Sequence, residues 1–223
     1  MNKELFIKAM SKFILGVLLV ALLLFPTGTL HYWHGWVFMT ILFVPMFIAG
    51  MIMMFYNPVL LEKRLNAKEK EMEQKQVVAF SGLMFLISFI LAGFNYRWNW
   101  FILPNGLVWI SVIIFLLSYL MYAEVLRENT FLSRTIEIQD NQKVIDTGLY
   151  SIVRHPMYSS TLLLFLSMPL VLGSPISFLI ILLSYIPLIN KRMNNEEKVL
   201  KEGLNGYMEY QKKVKYKVIP FIW

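Results

Sequence analysis

The sequence predicts an all-α, polytopic transmembrane helix bundle, and three observations predict it. Of 223 residues, 57% are hydrophobic and only 16% charged, against about 25% charged residues in soluble domains. Charge is absent from long blocks: residues 13–61, 77–96, 98–123 and 157–190 contain no Asp, Glu, Lys or Arg. Apolar runs of about 18 residues or more are what a helix needs to cross a hydrocarbon layer about 30 Å thick. The third observation is the alternation of Lys and Arg. Twenty of the 21 fall in the amino-terminal tail, the loop at 56–76, the segment 127–156 and the tail after Asn190, and the intervening loops hold only Arg97. The positive-inside rule puts those four segments, and so both termini, in the cytoplasm, at the plasma membrane if the source is prokaryotic.

The elements follow in order. A first apolar helix is expected from Ile7 to Phe25 and a second from Trp33 to Phe55, separated by Pro26-Thr27-Gly28 and the aromatic group Tyr32, Trp33 and Trp36. The first has the basic start of a signal peptide, but no small-residue cleavage site follows, so it reads as a retained span. Asn57 to Gln76 has helical spacing with charge on most faces and reads as a solvated connecting helix on the membrane surface. The third and fourth spans cover Val77–Phe94 and Leu107–Leu126, bracketed by Trp98, Trp100 and Trp109 as in an interfacial aromatic belt. Tyr158–Leu172 and Ile176–Ile189, broken by Gly173-Ser174-Pro175, are each about 14–15 residues, short for a full span. They read as a short helical hairpin, giving five to six apolar helices in all.

Several function classes fall away. A net charge of +7 suggests nucleic acid, but no soluble basic domain carries it. The absence of cysteine removes disulfides, thiolate metal sites and cysteine nucleophiles, and no metal site is expected. The 14 Met residues, among them Met51, Met53 and Met54, read as packing or lipid-facing side chains. His31 and His34 lie at the opposite end of the second span from the polar segments and read as interfacial.

The polar sequence that remains sits in two basic segments. Between Glu128 and Tyr158, Asp140-Asn141 and Thr147-Gly148 are turn formers, and the β-branched stretches between them favour extended chain. This length of non-helical chain, beginning and ending at the membrane, reads as a lid or binding loop. Proline disfavours helix at the residue before it and suits a first helical turn, so Pro156 should open a helix with His155 extended. Such a helix start favours anions, with Arg154 and His155 beside it. By themselves, Arg154 and His155 read equally as interfacial anchors. In the second segment a helical pattern runs through Leu200, Leu204, Tyr207, Tyr210 and Val214, preceded by Arg192 and Glu196 four apart. Alone, that pair reads as a surface ion pair. Glu124 and Glu128, at the inner end of the fourth helix, are weaker candidates to line a pocket.

Taken together, Gly148-Leu149-Tyr150, Arg154-His155-Pro156-Met157-Tyr158, Arg192 ahead of Glu196-Glu197, Tyr207, Tyr210 and Val218-Ile219-Pro220 resemble the isoprenylcysteine carboxyl methyltransferase and phospholipid methyltransferase superfamily of integral membrane enzymes. The resemblance covers roughly 105–223, the methyltransferase-like region, and 1–104 supplies the amino-terminal membrane helices and connecting helix. In the amino-terminal part, Asn57-Pro58 to Arg64 and Tyr96-Arg97-Trp98 look like features of the family's prokaryotic members. Two departures stand out: Ser159-Ser160 where a small Gly is common, and only two acidic residues after Arg192.

The resemblance implies S-adenosyl-L-methionine as cofactor. It would be held by Gln142, Lys143, Val144 and Ile145, with Gln139, Gly148 and Tyr150, by the motif Arg154, His155, Pro156, Met157 and Tyr158, and by Glu196 with Glu197. Arg192 matches the arginine that family members aim at the acceptor, which makes Arg192 and Glu196 the catalytic pair. The implied partner is a lipid-like acceptor arriving from the bilayer, methylated on a carboxylate held by Arg192. N-methylation of an aminophospholipid, S-methylation of a small thiol, and a non-enzymatic membrane protein remain as alternatives.

Overall fold

The computed structural model describes residues 3–65, 72–132 and 136–223. Residues 66–71 of the expected connecting helix and 133–135 of the expected loop, Arg134 included, lie outside the described residues. The helices are α1 (Lys3–Leu23), α2 (Trp33–Tyr56), α3 (Pro58–Leu65), α4 (Met72–Trp98), α5 (Asn105–Glu128), α6 (Pro156–Val171), α7 (Pro175–Gly203) and α8 (Tyr207–Lys213). Among the described residues there is no strand.

Among the described residues five helices are long and apolar enough to cross a membrane: α1 with its 3₁₀ extension to Thr27, α2, α4 from Lys75, α5 and α7. The protein is an integral membrane protein of polytopic helical architecture. Helix starts carry local signals. Pro58, Pro156 and Pro175 open α3, α6 and α7, where a missing N–H costs nothing. Asn57 Oδ1 accepts from Leu60 N at 3.1 Å, and Ser174 Oγ accepts from Ser177 N at 3.3 Å.

The final pair of helices differs from expectation. α6 is short, 16 residues, but α7 runs 29 residues without interruption from the hairpin through Lys191–Glu197 to Gly203. The apolar run ends at Ile189, yet no proline or glycine lies between Asn190 and Glu202, so the backbone ladder continues while the side chains turn polar. The expected Leu200–Val214 pattern is split at Gly206, whose φ of +84° is a left-handed conformation that glycine adopts without strain. α3 also departs from a solvated helix, since Leu61 is buried against Leu5 and Met54.

Packing follows from which faces are apolar on both sides. One core gathers Tyr32, Phe38, Phe89, Phe115, Val171 and Leu172. It therefore joins helices on both sides of residue 104. A second gathers Met84, Tyr158, Leu162, Ile181, Tyr185 and Met193. Outward faces stay apolar: Leu18 is 61% exposed, Leu120 68% and Leu183 72%. In water such a surface drives association, whereas in lipid it is the expected exterior.

At the end of the bundle away from the loop, polar side chains tie the α6–α7 turn to its neighbours. Tyr32 Oη donates to Leu172 O. Asn95, buried on α4, donates from Nδ2 to Phe101 O at 3.0 Å and Gly173 O at 3.2 Å, and accepts from Phe101 N at 3.2 Å. His34 stacks on Trp33 at this same end, with ring centroids 3.9 Å apart. Replacing Asn95 by Leu strands these backbone groups and is expected to cost about 2–4 kcal/mol. A lowered thermal unfolding midpoint in detergent is the readout, and an unchanged midpoint would contradict this role.

Candidate active site

The chain between α5 and α6 is held by a few side chains at its two ends. Glu128, in the last turn of α5, accepts from Leu149 N at 3.1 Å. Its carboxylate fills the space where a side chain on Gly148 would stand, and Gly148 has φ +49°. Asn129 Nδ2 donates to Tyr150 Oη at 2.9 Å, and Tyr210 Oη on α8 donates to Tyr150 O at 2.7 Å. Burial raises the Tyr150 and Tyr210 hydroxyls above the ordinary phenol range, so both remain proton donors. The turn at Asp140-Asn141 forms, with Asn141 at φ +59°. The stretch 136–147 contains no helix.

His155 is non-helical at φ −127° and α6 begins at Pro156. Arg154 Nε donates to Glu197 Oε1 at 2.9 Å, both side chains being 6% exposed. Its Nη1 donates to Val214 O at 2.9 Å and Lys215 O at 2.7 Å. The backbone continues the join, with Arg154 N bonded to Tyr216 O and His155 N to Lys217 O, each at 2.9 Å. His155 Nε2 lies 3.2 Å from Glu197 Oε1, and Lys217 Nζ lies 3.4 Å from Glu197 Oε2. Ser159 Oγ donates to Val218 O at 2.6 Å, so a hydroxyl ties α6 to the tail.

Glu196 and Glu197 are adjacent on α7 and so point about 100° apart. Glu197 faces Arg154 and the tail, while Glu196 faces a cleft beneath the loop. Tyr158 Oη donates to Glu196 Oε2 at 2.7 Å and accepts from Arg192 Nε at 3.2 Å. Arg192 and Glu196 are thus bridged by a phenol from α6 rather than forming the simple surface pair that their spacing alone permits. His155 Nδ1 lies 3.9 Å from Glu196 Oε1.

The cleft encloses a cavity of about 90 Å³ and is partly open to solvent. Of the residues expected from sequence, Gln142, Lys143, Val144, Ile145, Tyr150, Arg154, His155, Met157, Tyr158, Arg192 and Glu196 line it. Gln139, Gly148, Pro156 and Glu197 do not. Gln139 bonds within the loop, to Gln142 and Phe131. Pro156 is fully buried as the first residue of α6. Glu124 pairs with Arg127 on the surface, and Glu128 supports the loop from behind.

The lining also includes residues that sequence reading did not assign to the site: Asn129, Phe131, Leu132, Ile136 and Glu137 at the loop's start, Val199, Leu200 and Leu204 on and after α7, and Tyr207 and Tyr210 on α8. Tyr207 and Tyr210 stood out as part of a helical pattern, but the break at Gly206 turns them in a direction no single helix predicts. The Tyr207 hydroxyl is buried without a hydrogen-bond partner among the described residues. Burial and the nearby Glu197 and Glu196 carboxylates push its pKa up, so it is present as a phenol. Among the described residues no three His, Asp or Glu side chains form a metal-binding group.

These motifs coincide with a family match. Residues 108–202 match the profile of the isoprenylcysteine carboxyl methyltransferase (ICMT) family, which bears out the resemblance seen in the paired motifs. The match spans less than half of the chain and falls on α5, α6 and most of α7, the elements that carry the cleft. No curated protein sequence matches the chain.

The buried ion pair yields a stability test. Replacing Arg154 or Glu197 singly by Met leaves the other charge buried and is expected to cost about 3–5 kcal/mol, while the double replacement should cost clearly less than the two singles combined. Thermal unfolding of the four proteins measures this. Strict additivity would show that the two charges act independently.

Proposed function

We propose that the protein transfers a methyl group from S-adenosyl-L-methionine to the carboxylate of an isoprenylcysteine-like or other lipid-like acceptor, at the cytoplasmic face of the membrane. The observation that carries this reading is the meeting, in one cleft, of the α6 start with Arg192 and Glu196 of α7. The donor set fits the cofactor's chemistry. The orphaned Tyr207 hydroxyl needs an acceptor, the Glu196 carboxylate needs donors, and the lining alternates polar atoms with apolar faces.

When bound, the cofactor supplies a methyl group already activated on a sulfonium. The residues then have four tasks. Glu196 accepts hydrogen bonds from an ammonium or ribose hydroxyls, and His155 with the start of α6 favours a carboxylate. The aromatic faces of Tyr150 and Tyr158 suit an adenine ring or a sulfonium. Val144, Ile145, Met157 and Leu200 exclude water, which strengthens these contacts and suppresses hydrolysis. Arg192, oriented by Tyr158, holds the acceptor. An ionised carboxylate is nucleophilic without a base, so the requirement is alignment rather than proton removal. An acceptor with an apolar tail reaches this end of the bundle from the bilayer, which gives the enzyme a reason to be embedded. The basic residues concentrated at the cleft's end support a cytoplasmic site.

Titration of the purified protein with S-adenosylhomocysteine should show saturable binding that falls about tenfold or more in Glu196→Gln, the loss expected for a charge-assisted hydrogen bond. No binding by the wild type would overturn the assignment. Arg192→Met should bind S-adenosylhomocysteine with near wild-type affinity, yet lose about tenfold or more in methyl transfer to a prenylated cysteine. In membranes incubated with labelled cofactor, label appearing only in phospholipid amine would overturn the carboxylate reading.

A further inference from the structure

We infer that Arg64 on α3 is the headgroup site for an anionic phospholipid, whose chain lies in the groove between α1, α2 and α3. The groove is separate from the cleft. Phe6, Met10, Phe13, Phe47, Met51 and Met54 make it apolar, and Lys12, Arg64 and Leu65 close one end. It opens to the outside of the bundle, where Met46 is 39% and Phe47 40% exposed.

The guanidinium of Arg64 is oriented by α5. Its Nη1 donates to Tyr122 Oη at 3.2 Å, and its carbon lies 5.9 Å from the Tyr122 ring centroid. Nε and Nη2 are buried and have no hydrogen-bond partner among the described residues. Those two N–H groups share one edge of the planar group. This is the edge that grips a carboxylate or phosphate at two points, as Arg127 Nε and Nη2 grip the two oxygens of Glu124. A buried cationic edge left unpaired is costly. An anion held there offsets that cost, and only an amphiphile also fills the apolar groove behind it.

The charge pattern favours a phospholipid over a detached anion. Exposed Lys12 stands at the same end of the groove, its Nζ bonded to Leu65 O at 2.5 Å. Two cations beside an apolar channel match a phosphodiester with net negative charge, and such headgroups meet the chain region at the boundary where α3 turns out of α2. Nothing in this inference depends on the chemistry of the cleft.

The test uses the full-length protein in detergent with added phosphatidylglycerol, phosphatidylcholine or oleate. Wild type should retain phosphatidylglycerol through purification and gain thermal stability from it, with phosphatidylcholine at least about tenfold weaker. Arg64→Met should unfold no earlier than wild type without lipid, because the orphaned edge is gone, and should lose that gain. Arg64→Lys keeps the charge without the fork and should bind about tenfold more weakly than wild type. Arg192→Met, in the cleft, should retain the lipid fully. Equal stabilisation by phosphatidylcholine, equal stabilisation by oleate, or undiminished phosphatidylglycerol binding in Arg64→Met would each overturn the inference.

Discussion

The arrangement of the cleft depends on one buried ion pair. Arg154 and Glu197 are brought together from segments 43 positions apart in the chain, and each is almost wholly removed from water. A pair of this kind adds little net stability by itself, because desolvation of both charges is nearly as large as their attraction. Its value is specificity. Arg154 has further donors to place, and they go to the carbonyls of Val214 and Lys215. A single guanidinium therefore fixes the end of the loop, the face of α7 and the path of the tail in one geometry, and His155 and Glu196 take their positions from it.

The division of labour between Glu196 and Glu197 follows from the same contact. Two adjacent carboxylates on a helix cannot face the same neighbour, so committing Glu197 to Arg154 turns Glu196 into the cleft. Tyr158 then spans the gap between Glu196 and Arg192, donating to Glu196 and accepting from Arg192. Its phenol connects a cation and an anion that helical spacing would otherwise leave to find each other in solvent. The two sides of the cleft are thus one hydrogen-bonded chain rather than two independent surfaces.

Much of this was legible in the sequence, and the reasons differ by level. The spans are visible because a bilayer demands length and the near absence of charge, which composition records directly. The start of α6 at Pro156 is visible because proline constrains both itself and His155. The ends of helices are less legible: α7 passes straight through Asn190, because apolar runs mark the membrane and not the helix. The roles of Glu197, Ser159 and Tyr207 are invisible in one dimension. Each is set by a tail or a short helix folding back beside α6, and no local propensity encodes that return. The orphaned edge of Arg64 is of the same kind, since only the placement of Tyr122 shows which N–H groups are already engaged.

The inequality of the last two helices has its own consequence. α6 covers 16 residues, about 24 Å, whereas its antiparallel neighbour α7 covers 29. The floor of the cleft is the start of the shorter helix, and one wall is the part of α7 that outruns it, so the depth of the recess is a difference between two lengths. For the lipid-like acceptor proposed above, such a recess makes the search two-dimensional, and crowding in the leaflet sets the concentration that the site experiences.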